Sequence, residues 1–370
     1  MSEPLTMKSI YYHEHGGTPE RRFAVNPEEL LDFSVNISPL FPPLENRLLD
    51  TYALDRYPSV DGRGIIDFYA GRFQLHRSTI LALNGATEGI YLLPRALGFR
   101  RMMVLSPTFY EYERAGRLAG AAIGFIRLTP DNGGFLLPRL EELAAMLEDA
   151  DAFFAANPNN PTGTVVPPEI ILALASRFPD KWFLVDEAFL QYSTNYHDTT
   201  LMNMVTAMKN IVVIQSLTKF YALPGLRLGA LIAHPEVITR LLEYKEPWSV
   251  NTIAETVARE LLACRAYETA VCDLVLSERG RITQALSDNR AIKLAGGAAN
   301  FFLARWQGSA NLDDLLNALL QQGIYVRDCR NFAGLEENYF RFAIRTPEEN
   351  TRLLDVFQHL TEQSVDLSVS

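Results

Sequence analysis

Cysteine is scarce in this 370-residue chain, and the three present, Cys264, Cys272 and Cys329, are odd in number and never spaced as CxxC. Such a set neither staples a secreted domain nor builds a thiolate centre, so free, mostly buried thiols and no metal are expected. Long apolar runs are also missing: nothing approaches the roughly 20 consecutive apolar residues of a membrane helix. The opening "MSEPLTMKSIYYHEHGG" has no basic segment followed by an apolar run, so no secretory signal is expected and the cytoplasm is the expected location. Positive charge is in deficit, 34 Lys and Arg against 44 Asp and Glu, for a net charge of −10. That argues against general affinity for a nucleic-acid backbone, which needs clustered cations, yet leaves room for a locally basic pocket and an anionic small molecule. Internal repeats and low-complexity tracts are absent as well.

What is present fits a compact protein too long for one ordinary core. The runs "MMVLS" (102–106), "AFFAAN" (152–157), "WFLVDEA" (182–188) and "IVVIQS" (211–216) are continuously apolar, as strands buried on both faces are. Helical patterns such as "PRLEELAAMLEDA" and "PPEIILALASRF" lie between them, and "RLGALIA" (227–233) adds a further strand. The expected fold class is therefore α/β, a mostly parallel sheet covered by helices. From about residue 252 one long helical pattern leads into the strand-like "NFFLARW", "GIYVRD" and "YFRFAIR". The expected organisation is an N-terminal arm with part of the small domain (1–48), a large domain (49–250) and a small α+β domain (251–370).

Open α/β sheets bind ligands at the carboxyl ends of their strands, so polar groups there are the ones to collect. "FLVDEAF" ends in Asp186 and Glu187, "FFAANPNNPTG" in Asn157, Asn159 and Asn160, and "IVVIQSLTK" in Ser216, Thr218 and Lys219. Arg227 follows a Pro-Gly turn, and "NGATEG" (84–89) opens a helix whose exposed N–H groups suit an anion. Each has an ordinary explanation alone: a hydroxyl near a turn caps, NPTG turns, a buried-looking lysine snorkels. Together they match pyridoxal phosphate. Its aldehyde needs a lysine, its ring nitrogen a carboxylate, and its phosphate hydroxyls, N–H groups and a guanidinium fork.

"NGATE", "NPNNPTG", "DEA" and "SLTKxxxxPGLRLG", in this order over nearly the whole chain, resemble the signature of the fold-type I pyridoxal-phosphate enzymes, the aminotransferase class I/II superfamily. The resemblance implies PLP fold type I, with a seven-stranded-type, mostly parallel sheet. It implies Lys219 as the cofactor's anchor, Asp186 on the pyridinium and Asn160 on the 3-oxygen. Ser216, Thr218, Arg227 and the Gly85, Ala86 and Thr87 amides would hold the phosphate, and Phe109 would stack on the ring. Tyr57 in "RYPSVDG" would reach the neighbouring subunit's site, which implies a homodimer.

Within the superfamily the chain is similar to the threonine-phosphate decarboxylases through "HGG" (15–17), "LLDFSVNISP", "EPWSVN" and "YFRFAIR". Histidinol-phosphate aminotransferases share much of this frame but usually read "DEAY" where this chain has Phe189. The expected activity is decarboxylation of a phosphorylated or phosphonate α-amino acid, with transamination as the alternative and a non-enzymatic ligand-binding protein as a third reading. By the same resemblance Arg341 meets the substrate carboxylate, and Arg327, with His15, Gly16 and Asn36, lies towards the substrate phosphate. Arg330 and Arg345 are further candidates, the latter on the same strand face as Arg341. The chain reads "HGGT" and "NISP" where those enzymes read "HGGN" and "NINP", which places the shorter Thr18 and Ser38 near the presumed phosphate pocket.

Overall fold

Alternation decides how the central strands are buried. Phe153 and Ala155 point into one apolar cluster, while Phe154 and Ala156 point into another on the opposite face. A strand apolar on both sides must lie inside a sheet covered twice. The computed structural model describes residues 15–16, 29–44, 54–193, 195–335 and 337–366. It contains a seven-stranded sheet in the order Ile80–Asn84, Leu228–Ile232, Ile211–Ser216, Trp182–Asp186, Ala152–Ala156, Arg101–Ser106 and Ala122–Arg127. Only Leu228–Ile232 runs against the others. The expected mostly parallel α/β sheet is thus the observed one. Its carboxyl-terminal edge gathers the ends of three central strands at Ala156, Asp186 and Ser216.

A second, four-stranded antiparallel sheet is built from Ile292–Gly296, Phe301–Trp306, Tyr339–Ala343 and Arg327–Asp328. Residues 31–34 dock onto this C-terminal part. Leu31–Asp32 pairs in parallel with Ile324–Tyr325, and the Phe33 carbonyl accepts the Ala343 N–H at 2.8 Å.

The long helical pattern after residue 252 is not one helix. It divides into Thr252–Glu260, a 3₁₀ turn at Leu261–Ala263, and Arg265–Leu286. Arg72 supplies the reason. Its buried guanidinium donates to the carbonyls of Leu261 (2.9 Å) and Leu262 (3.2 Å), and Nη2 also pairs with Glu268 at 2.6 Å. Carbonyls held by a side chain are withdrawn from the helical ladder, and the helix breaks there. Nearby, Glu255 accepts from the N–H and hydroxyl of Ser59 (2.9 and 2.7 Å) and from the Gly64 N–H (3.0 Å), pinning the segment that carries Tyr57. Among the described residues no helix is long and apolar enough to cross a membrane, and no cluster of His, Cys, Asp and Glu could hold a metal ion.

Candidate active site

The strand ends, the start of helix Ala86–Leu97 and the second sheet surround a cavity of about 540 Å³, within the usual range for a small-molecule site. Its wall includes Ala86, Thr87, Phe109, Asn160, Asp186, Ser216, Thr218, Lys219 and Arg227. His15, Gly16, Asn36, Arg327 and Arg341 line it as well. Of the residues expected to hold the cofactor or the two substrate anions, all but Gly85 and Tyr57 face this space.

Lys219 stands in the single-turn helix Leu217–Phe220 that follows strand Ile211–Ser216. Its amine is held down to about 8, by burial first and then by the charges of Arg341 and Arg227, against the pull of Asp186. A nucleophilic lysine needs this condition, since only the free amine attacks a carbonyl. Asp186 ends its strand buried, with Oδ1 accepting the Ala188 N–H (2.9 Å) and Oδ2 the Tyr112 hydroxyl (2.8 Å). Burial raises its pKa, and those two donors together with Lys219 oppose the rise. Ser216 and Thr218 place their hydroxyl oxygens 2.8 Å apart.

Arg227 adopts the left-handed conformation (φ 58°, ψ 61°) between the Pro224–Leu226 turn and the reversed strand. That strand lies tight against the helix start: a β-carbon on Gly229 would stand 2.5 Å from the Ala86 nitrogen. Only glycine permits this approach. Gly85 caps the same helix at φ 79° and lies behind Arg227 rather than in the wall.

On the opposite side, Arg341 is buried and donates to Asn160 Oδ1 and to the Ser34 carbonyl (2.8 Å), with its guanidinium 5.4 Å over the Phe301 ring. Both hydrogen-bond partners are neutral. Burial foremost, with the charge of Arg327 adding to it, pulls Arg341 down to about 10. Arg327, also buried, donates to Asn331 Oδ1 at 2.9 Å and to the Asp328 carbonyl. In the wall itself, Arg341 Nε and Asn36 Oδ1 are buried without a hydrogen-bond partner among the described residues.

Other candidates fall elsewhere. Arg330 is held by Asp313 and Asp328, and Arg345 by Glu349 and the Asp32 carbonyl. Neither lines the cavity, and for Arg345 the reason is that strand Tyr339–Ala343 ends before it, so the face shared with Arg341 ends too. Ser38 is buried under the Tyr267 hydroxyl (3.1 Å) and its N–H meets the Lys219 carbonyl (2.9 Å), so it braces the lysine from behind and does not line the cavity. Thr18 lies outside the described residues. Asn157 and Asn159 brace the NPTG turn through Val166, Pro107 and Thr162. Glu187 turns away to Thr200, Gln215 and the Leu201 N–H, and burial raises it to about 7. Tyr57 is 82% exposed, its ring 5.1 Å from that of Trp248.

The wall also contains residues the sequence reading passed over: Tyr91, Glu111, Tyr112 and Arg114. Glu111 accepts from Tyr91, from Arg114 (3.3 Å) and from His15 Nε2 (3.2 Å). Tyr112 lies three positions after Phe109, one helical turn along, and that spacing was the available signal. The His15–Glu111 contact spans 96 residues and has no local signal.

These residues fit pyridoxal phosphate on structural grounds. A depressed buried lysine, a buried carboxylate with two donors, a hydroxyl pair beside an arginine and a helix start open to an anion all face one cavity of suitable size.

A family model described as aminotransferase class I and II matches residues 39–357. The threonine-phosphate decarboxylase of Salmonella typhimurium is 34% identical over 361 residues, covering 95% of this chain and 98% of that protein. Among solved structures, the histidinol-phosphate aminotransferase from Clostridium acetobutylicum superposes with a TM-score of 0.83 at 28% identity, covering 90% of this chain and 100% of that one. The L-threonine-O-3-phosphate decarboxylase from Porphyromonas gingivalis superposes with a TM-score of 0.74 at 25% identity, covering 84% and 91%.

Proposed function

This chain belongs to the aminotransferase class I and II family, and on that premise we propose that it decarboxylates a phosphorylated or phosphonate α-amino acid, such as threonine phosphate or phosphoserine, with pyridoxal phosphate anchored on Lys219. One observation carries the choice of substrate class. Two buried arginines, Arg327 and Arg341, face the cavity that holds Lys219, and Arg341 has only neutral hydrogen-bond partners. A substrate with two anionic groups offers each guanidinium a charged acceptor that matches its fork. The 34% identity to a threonine-phosphate decarboxylase along almost the full chain supports the same reading.

When bound, pyridoxal phosphate supplies an electron sink for the electron pair that a departing carboxyl carbon leaves on Cα. Ser216, Thr218, Arg227 and the amides of Gly85, Ala86 and Thr87 would hold its phosphate. Asp186 would hold the proton of its ring nitrogen, Asn160 its 3-oxygen, and Phe109 one ring face. Arg341 orients the substrate carboxylate, while Arg327, His15, Gly16 and Asn36 take the phosphate. As CO2 leaves, one proton must reach Cα. Both tyrosines of the wall already donate their hydroxyl protons to carboxylates, Tyr91 to Glu111 and Tyr112 to Asp186. Lys219 Nζ, which faces the same cavity beside Asp186, is the side-chain group assigned to give that proton.

The protein acts as a cytoplasmic homodimer in which the exposed Tyr57 reaches its partner's cavity. The domain division expected from sequence accompanies this reading, with residues 31–34 packed on the C-terminal sheet. Purified protein incubated with threonine phosphate, phosphoserine and a phosphonate analogue should release CO2 and the matching amine. Amine exchange dependent on a 2-oxo acid, with no CO2 from any of them, would establish an aminotransferase of the histidinol-phosphate type instead.

A further inference from the structure

We infer that Tyr112 is a positioning residue for Asp186: its phenol holds the carboxylate in place and in its charged form, and so sets how firmly the site keeps a bound pyridine ring nitrogen protonated. The inference rests on Asp186 being the cofactor's carboxylate, as proposed above.

The geometry is specific. Tyr112 lies in the first turn of helix Tyr110–Leu118, which follows the SPTF turn, and only 3% of it is exposed. Its ring stacks on Phe154 from strand Ala152–Ala156, with centroids 4.2 Å apart and planes at 23°. Phe109 meets it edge-on at 5.6 Å and 80°. Two aromatic contacts fix the ring, so the hydroxyl has one direction available, towards Asp186 Oδ2 at 2.8 Å. Asp186 Oδ1 is occupied by the Ala188 N–H. Each carboxylate oxygen therefore has one donor, and the side-chain donor is Tyr112.

A buried carboxyl group without donors takes up a proton rather than keep its charge. Hydrogen bonds to the charged form reverse this, and removing one of two returns the group towards neutrality. The groups acting on Asp186 are the Ala188 N–H, Tyr112, the Lys219 amine and, as a like charge, its neighbour Glu187. Tyr112 is the side chain among them that combines contact with permanence, beside the backbone N–H of Ala188. Burial and the adjacent Asp186 charge push its phenol well above the ordinary value, so it remains a donor at every working pH. A protonated Asp186 cannot hold a cationic ring nitrogen, and the electron sink weakens.

The test is Tyr112→Phe, which removes one oxygen from a packed ring, loaded with pyridoxal phosphate labelled with ¹⁵N in the ring. The ring-nitrogen shift should move towards that of a neutral pyridine, and CO2 release should fall about 10- to 100-fold, the loss of one hydrogen bond to a charged group. Phe154→Leu keeps the phenol but loosens its stack, and should give an intermediate shift. N-methylated pyridoxal phosphate, whose ring nitrogen is permanently positive, should narrow the rate gap between Tyr112→Phe and the parent protein. Asp186→Asn separates the two levels of the argument. If Asp186→Asn moves the nitrogen shift and neither Tyr112→Phe nor Phe154→Leu does, the inference about Tyr112 is overturned and the reading of Asp186 stands. If Asp186→Asn leaves the shift unmoved, that reading falls and this inference with it.

Discussion

Gly85 lies so close to Arg227 that a β-carbon built on it would stand 2.3 Å from Nη2 and 2.8 Å from Cζ. The glycine also sits at φ 79°, where L side chains are strained. Arg227 has little freedom to retreat, because its left-handed backbone leads directly into strand Leu228–Ile232 and it donates to the Pro224 carbonyl at 3.2 Å. Gly85→Ala should push the guanidinium off its line and weaken affinity for pyridoxal phosphate about tenfold or more. Titration of the apo-protein with the cofactor, followed by fluorescence, measures this. Gly98→Ala is the control. It too has positive φ, 71°, but an added β-carbon would meet nothing within 4 Å, so it should cost stability and leave cofactor affinity unchanged.

Lys219 makes apo-protein stability depend on pH in a defined window. Its amine titrates near 8 in the fold and near 10.5 in an unfolded chain. Below pH 8 the lysine is charged in both states, and the fold carries the full cost of a buried cation, about 3 kcal/mol. Between 8 and 10.5 only the unfolded chain binds the proton, so this cost shrinks as pH rises, and above 10.5 it is gone. Lys219→Met should therefore stabilise the apo-protein most below pH 8, with the advantage fading towards pH 10.5. Urea unfolding of both proteins across that range checks it. A constant difference at all pH values would mean that the lysine is not desolvated.

Strand ends made much of this site legible. Lys219, Asp186 and Asn160 each follow a continuous apolar run, and in an open α/β sheet such runs terminate at one edge. The same signal misled for Asn157, Asn159 and Glu187, because consecutive residues leave a strand end in different directions and sequence order does not say which faces the cavity. Tyr112 stands one helical turn beyond Phe109, a spacing that places the two side by side but does not say that its hydroxyl meets Asp186. The His15–Glu111 contact and the interruption by Arg72 of the helical run after residue 252 join elements far apart in the chain, and local periodicity carries no information about either.

Arg72 is a buried cation with one carboxylate partner and two carbonyls. Arg72→Leu would leave Glu268 with the Tyr221 hydroxyl but no cation, and take the guanidinium from the Leu261 and Leu262 carbonyls. Breaking such a pair from one side costs about 3–5 kcal/mol. The urea midpoint should fall accordingly. The double variant Arg72→Leu with Glu268→Leu should recover part of that loss, because the orphaned charge goes with it.

Arg341 and Phe301 offer the most direct test of substrate recognition. The guanidinium stands 5.4 Å from the Phe301 centroid, and Phe189 from the cavity wall meets the same ring at 5.3 Å and 77°. The ring serves as a shelf: it supports the planar fork while the two hydrogen bonds, to Asn160 and Ser34, set its rotation. Phe301→Leu keeps the site apolar and removes the shelf, a loss of about 1 kcal/mol, so KM for an amino-acid phosphate should rise roughly 5-fold with a smaller change in kcat. Arg341→Lys keeps the charge but not the fork and should lower kcat/KM about tenfold or more, since a point charge fixes the direction of a carboxylate poorly. Direction matters here beyond binding, because only the Cα bond held perpendicular to the cofactor ring is broken. Arg341→Lys should therefore also raise the share of turnovers that break Cα–H, seen as deuterium exchange at Cα in D2O. If KM rises in both variants with no gain in exchange, Arg341 binds the substrate without selecting the bond.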